Sequence, residues 1–141
     1  MKILIVEDEV LLAMELESEI DAAGHEIVGM AADSSEALRI IDEEQPNFAF
    51  VDIQLLDGPT GIEVGRSLAS RGIPYVFVSG NLKRIPDDFA GALGAIEKPY
   101  TMNGLHNALS FVESYVCGKA ARPTPPPSLV VAPAVLADMS A

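Results

Sequence analysis

Tryptophan is absent and cysteine occurs once, at Cys117, so the chain has no means of forming an internal disulfide. Cations are scarce as well: nine Lys and Arg stand against 21 Asp and Glu, for a formal net charge of −12. A nucleic-acid surface, which needs clustered Lys and Arg to meet phosphate, is therefore not expected. No apolar run approaches the roughly 18 residues of a spanning helix. The N-terminus also lacks the charged region, apolar core and cleavage site of a leader. Together these absences predict a cytoplasmic chain without nucleic-acid or membrane partners. What is present is a hydrophobic fraction of 49% over 141 residues, enough to fill one core and so to build one site.

That apolar content is distributed in short runs that end on polar groups. Phe48-Ala49-Phe50-Val51 leads into Asp52, Ile3-Leu4-Ile5-Val6 into Glu7-Asp8, and Tyr75-Val76-Phe77-Val78 into Ser79, while the weaker Ala95-Ile96 leads into Glu97-Lys98-Pro99. Continuous apolar runs of this length suit strands covered on both faces, as in a parallel sheet. Between them lie helical patterns. Leu12, Leu16, Ile20 and Ala23 form a stripe stopped by Gly24, and the strand His25–Ala31 follows. Asp33 or Ser34, with Glu36, offers an N-cap for a helix carrying Ala37, Leu38, Ile40 and Ile41, which ends before Pro46. Ile62, Val64, Leu68 and Ala69 mark a third helix closed by Gly72. Thr101 caps a last one with Leu105, Leu109, Val112 and Val116 inside. Residues 80–93, broken by Gly80, Pro86 and Gly91, predict only a short or distorted helix.

Strand and helix alternate five times, the pattern of a doubly wound α/β sheet. In such sheets ligands sit beyond the carboxyl ends of the strands, where the winding reverses. Glu7, Asp8, Asp52, Ser79 and Lys98 all fall there. Carboxylates crowded together repel one another, and a hard divalent cation relieves this. Magnesium, held by one or two carboxylates and by water, suits Asp8 and Asp52 directly, with Glu7 acting through water. It would neutralise an arriving phosphoryl group, Lys98 would pair with another phosphoryl oxygen, and Asp52 becomes a credible nucleophile that forms an acyl phosphate. The added charge has to be compensated, and the Ser79 hydroxyl is placed to turn toward it.

Val6-Glu7-Asp8-Glu9, Val51-Asp52-Ile53, Val78-Ser79-Gly80 and Glu97-Lys98-Pro99-Tyr100, in this order, resemble the signature of the receiver domain of two-component response regulators. The resemblance covers residues 1–117. It implies a flavodoxin-like, CheY-like fold, a five-stranded parallel sheet in the order 2-1-3-4-5. It implies Asp52 as phospho-acceptor, Glu7 and Asp8 as the acidic pair, the backbone carbonyl of Gln54 as a further magnesium ligand, Ser79 as switch hydroxyl and Lys98 as phosphate-binding lysine. Asn81, Pro99 and Tyr100 flank the site. Gly24–Ala31 and Asp52–Gly61 are further similar to receivers of the alphaproteobacterial general stress response, and Pro74–Gly80 looks like a variant of the motif of the "FAT GUY" single-domain regulators. That likeness implies a histidine kinase of the HWE or HisKA2 type, or a phosphotransfer protein, as phosphodonor, and a downstream protein partner.

Two departures concern readout. Ala95 stands three residues before the lysine, where receivers usually carry a switch aromatic, and the loop after Asp52 reaches its glycine, Gly61, one residue late. The expected function is a single-domain response regulator that signals by protein contact, relay or phosphate sink and catalyses only its own phosphorylation and dephosphorylation. The alternative is a phosphorylation-independent pseudo-receiver serving as an interaction module. A magnesium-dependent phosphohydrolase is disfavoured because Gln54, not an acid, lies two residues after Asp52. From Gly118 the composition turns to Pro, Ala and small apolar residues, with Arg122–Pro127 expected as polyproline II. The apolar stretch Leu129–Leu136 either docks on a protein surface or belongs to a disordered terminus.

Overall fold

The computed structural model describes residues 1–118 and 124–140. Its chain order is β1 (Lys2–Val6), α1 (Val10–Ala22), β2 (Glu26–Ala31), α2 (Ser34–Glu44), β3 (Phe48–Val51), α3 (Gly61–Ser70) and β4 (Tyr75–Ser79), then β5 (Gly94–Glu97), α4 (Met102–Val116), β6 (Val130–Val131) and α5 (Pro133–Ser140). The first five strands are parallel and ordered β2-β1-β3-β4-β5, as the family resemblance implies. The winding therefore reverses between β1 and β3, whose carboxyl ends lead into Glu7-Asp8 and Asp52.

The apolar runs are buried on both faces, as their continuity requires. Ile3, Ile5, Phe48, Phe50, Val76, Val78 and Ile96 face α1 and α4, while Leu4, Val6, Ala49, Val51, Tyr75 and Phe77 face α2 and α3. Helix starts follow their capping chemistry: Asp33 accepts from the Glu36 N–H at 2.8 Å, and the Thr101 hydroxyl from the Gly104 N–H at 2.9 Å. The stripe of α1 is shifted by one residue at its start. Ala13, Leu16 and Ile20 are its buried positions, Leu12 is half-buried, and Ala23 is exposed because the helix ends at Ala22.

Residues 80–93 hold no α-helix. Two 3-10 turns, Leu82–Arg84 and Phe89–Gly91, take its place. The second is fastened to the sheet by the Tyr75 hydroxyl, which donates to the Ala90 carbonyl at 2.6 Å. Of the two options for the apolar tail, the described part docks on the domain itself. β6 pairs antiparallel with β5, Val130 opposite Ala95 and Val131 opposite Gly94, and so extends the sheet by one short strand. Gly94 makes this approach possible, since a Cβ there would lie 2.4 Å from the Val130 carbonyl oxygen. Leu129, Val131, Ala132 and Val135 join the core beneath α4. Of the expected polyproline run, Arg122 and Pro123 lie outside the described residues, and the chain turns at Pro127 and Ser128. Because Leu129 is 5% exposed, Leu129→Ala is expected to lower unfolding free energy by about 2 kcal/mol in urea titrations. A change near zero would mean that the tail does not hold this position in solution.

Candidate functional site

Glu7 leaves β1 with its N–H bonded to the Ala31 carbonyl at 2.8 Å, and Asp52 leaves β3 with its N–H bonded to Val6 at 2.8 Å. These main-chain bonds fix the two carboxylates side by side at the switch point. Lys98, held by its N–H on the Ser79 carbonyl at 2.8 Å, enters from β5. Its ammonium donates to Glu7 Oε1 at 2.7 Å and to Asp52 Oδ2 at 2.9 Å. The three side chains are 13%, 1% and 8% exposed, so this contact is made away from water. Asp8 completes the acidic group: Glu7, Asp8 and Asp52 offer carboxylate oxygens that all lie within 4.8 Å of one another.

One ammonium cannot neutralise two buried carboxylates. Burial and the neighbouring Asp52 push the Glu7 carboxyl up to about 8, against the pull of Lys98. Burial alone would lower Lys98, but its bonds to Glu7 and Asp52 outweigh this and raise it. The two shifts describe one state: Lys98 stays charged, one negative charge is compensated, and the second carboxyl is driven toward its neutral form. A folded-state value above the ordinary 4.5 means that Glu7's contribution is fully present below that pH and is lost as pH rises toward 8. In chelator, the melting temperature is therefore expected to fall over this interval, and Glu7→Gln to flatten the decline. An unchanged slope in Glu7→Gln would place the repulsion elsewhere.

The cluster fits a magnesium ion on its donor chemistry, since it offers only carboxylate oxygens and already draws a cation, the Lys98 ammonium, between two of them. An open cleft of about 250 Å³ leads to it, lined by Glu9, Asp52, Ile53, Gln54, Ser79, Gly80, Asn81, Arg84 and Lys98.

The remaining expected residues take up different stations. Ser79 is buried at the end of β4, but its hydroxyl faces the main chain of Asn81, accepting from the N–H at 3.1 Å and donating to the carbonyl at 3.2 Å. The Asn81 side chain caps the following 3-10 turn through the Lys83 N–H at 3.0 Å, while the residue still lines the cleft. Pro99 and Tyr100 lie beyond Lys98 in a second recess shared with Glu9, Leu12 and Glu15. There the Tyr100 hydroxyl is buried without a hydrogen-bond partner among the described residues, and burial pushes it up to about 12. The loop after Asp52 is tied down by Asp57, which accepts from the Ser34 and Thr60 hydroxyls.

Sequence reasoning missed Arg84. Its guanidinium crosses the mouth of the cleft and donates from Nη1 to the Gln54 Oε1 at 3.0 Å. It lies in the stretch with no usable periodicity, and only its charge beside an acidic rim could have flagged it. The aromatic-free position is also explained. Ala95 is fully buried between Phe77 on β4 and Val130 of the tail, so an aromatic ring has no path to swing there.

The family profile described as "Response regulator receiver domain" matches residues 3–110. The chain is 38% identical over 85 residues to the phyllosphere-induced regulator PhyR of Methylorubrum extorquens, covering 59% of this chain and 32% of PhyR. It is 30% identical over 119 residues to the transcriptional regulatory protein PdtaR of Mycobacterium tuberculosis, covering 80% of this chain and 57% of PdtaR. The chain thus spans less than two thirds of the length of either relative. Among solved structures, the response regulator REC domain of Erythrobacter litoralis PhyR superposes with a TM-score of 0.71 at 27% identity, covering 87% of this chain and 94% of that one.

Proposed function

The chain belongs to the response regulator receiver family, and from that premise we propose that Asp52 accepts a phosphoryl group from the histidine of a kinase or phosphotransfer protein. The observation that carries this reading is the Lys98 ammonium bonded to both Glu7 and Asp52 at the strand ends. It marks a place where negative charge has been concentrated together with a means of meeting more of it.

In the proposed step an Asp52 carboxylate oxygen attacks phosphorus, the bond from phosphorus to the donor imidazole nitrogen breaks, and that nitrogen keeps the electron pair. With the other imidazole nitrogen of the donor protonated, the products are an acyl phosphate on Asp52 and a neutral histidine. Glu7, Asp8, Asp52 and the Gln54 carbonyl would hold magnesium, which supplies positive charge to the transferring phosphoryl oxygens. Lys98 follows the phosphoryl group by exchanging one carboxylate for a phosphoryl oxygen, and the Ser79 hydroxyl leaves Asn81 to donate to another. Asn81, Pro99 and Tyr100 shape the rim. Val10, Leu11 and Met14, exposed on the first turns of α1 directly after Glu9, provide apolar contact for the incoming donor helix.

Residues 1–117 act as the receiver in this reading, with residues 118–141 as an appended segment. The sequence resemblance to receivers of the general stress response supports a place in such a response, and in this reading a kinase of the HWE or HisKA2 type lies upstream and a protein partner downstream, in the cytoplasm. Among the described residues, no helix is long and apolar enough to cross a membrane.

The test is a magnesium titration followed by exposure to a phosphorylated histidine kinase. Magnesium is expected to move the amide resonances around Asp52 and Lys98 and to raise the melting temperature near neutral pH, and label is expected to pass from the kinase to this chain. Resonances that ignore magnesium, with no transfer from any kinase tried, would leave the pseudo-receiver reading in its place.

A further inference from the structure

The described arginines are not alike. Arg39 pairs with Glu43, Arg66 with Asp88 and Arg71 with Asp42. Arg84 pairs with no carboxylate among the described residues and rests on a neutral amide, the Gln54 side chain. In a chain of net charge −12, an arginine aimed into an acidic cleft yet left without an anion is a cation in reserve.

Arg84 and Lys98 are the cations that line this cleft, and Lys98 is committed to two carboxylates already. A phosphoryl group on Asp52 brings close to two negative charges and three acceptor oxygens into the same space. The guanidinium has five N–H donors in a planar fork suited to phosphate, and one of them is used on Gln54. A guanidinium–phosphate contact joins two full opposite charges and can be bidentate, whereas the bond it would replace pairs the cation with a neutral amide oxygen. We propose that Arg84 is a second ligand of the phosphoryl group on Asp52, leaving Gln54 to reach it, and that the segment it sits on carries the phosphorylation state to the surface.

The coupling is local. Arg84 ends the 3-10 turn Leu82–Arg84, and Asn81, which begins that turn, is gripped through its N–H and carbonyl by the Ser79 hydroxyl. Moving Ser79 and Arg84 toward one phosphoryl group releases the turn at one end and draws it inward at the other. Leu82 and Ile85, half-buried against the core, would have to repack, so two polar exchanges become a change of apolar surface. This supplies a route of readout where Ala95 leaves none.

The inference rests on the phospho-acceptor reading of Asp52, and the experiment separates the two. Full-length wild type, Arg84→Ala, Arg84→Lys and Lys83→Ala are titrated with beryllium fluoride in the presence of magnesium, as a stand-in for the phosphoryl group. Arg84 is exposed, so its removal leaves the fold intact. Arg84→Ala is expected to bind about tenfold more weakly than wild type, and Arg84→Lys to fall between the two. Lys83→Ala, an equal change of charge on the same turn, is expected to stay within about twofold because Lys83 does not line the cleft. In wild type the Arg84 Nε–H resonance is expected to shift on saturation. Wild-type binding matched by Arg84→Ala, or an equal loss in Lys83→Ala, overturns the role of Arg84 and leaves Asp52 standing. No binding by wild type overturns the reading of Asp52 and this inference with it.

Discussion

Asp52→Asn is expected to abolish phosphoryl incorporation and, in chelator, to raise the melting temperature. The first effect follows because an amide nitrogen or carbonyl cannot form the acyl phosphate that the carboxylate forms. The second is the less obvious one. Asp52 and Glu7 share a single ammonium at 2.9 and 2.7 Å, and the excess negative charge between them is buried. Removing one of the two charges leaves a matched Lys98–Glu7 pair and takes away the part of the Glu7 shift that Asp52 causes, while burial, its largest cause, stays in place. A relief of about 1 kcal/mol would move the melting temperature by about 4 °C in a domain of this size. Parallel intact-mass spectra after treatment with a small phosphodonor, and thermal melts of both proteins, check the two halves. A variant that still gains a phosphoryl group places the acceptor elsewhere. One that melts lower in chelator contradicts the account of the repulsion.

Gly61→Ala is expected to be the most damaging single methyl in the molecule's active half. Gly61 opens α3 directly under the site, with its N–H on the Ile53 carbonyl at 3.0 Å. A Cβ at this position would fall 1.9 Å from the Asp52 carbonyl oxygen and 2.7 Å from the Ile53 Cα. Both are backbone atoms that cannot rotate away, so α3 or the strand end has to move. The expected loss is about 3 kcal/mol in urea unfolding, at the upper end for overpacking, with weakened magnesium binding because Asp52 moves with its main chain. A loss under about 1 kcal/mol would show that α3 can slide outward while the strand end stays in place.

How much of this was legible beforehand depended on range. The meeting of Glu7, Asp52 and Lys98 follows from apolar runs that each end on a polar group, because a parallel sheet aligns its strand ends; the strand order itself came only from the family resemblance. The caps at Asp33 and Thr101 were readable because they are contacts over three residues. The Gln54–Arg84 bond spans 30 positions and joins two irregular segments, so no period or propensity announces it. The tail was ambiguous for a similar reason. A two-residue strand has no alternation to detect, and its docking is decided by the absence of a side chain at Gly94, far away in sequence. The one-residue offset in the α1 stripe arose because Leu12 and Ala23 lie at the helix ends, where periodicity is weakest.

The central claim is the identity of the acceptor atom, and trapping it tests that claim most directly. The full chain is treated with magnesium and a small phosphodonor, reduced with borohydride to convert an acyl phosphate to the alcohol, digested and mapped by mass. The account predicts homoserine at position 52, absent when magnesium is chelated. Reduction at any other carboxylate, or at none while the phosphodonor is consumed, would contradict it.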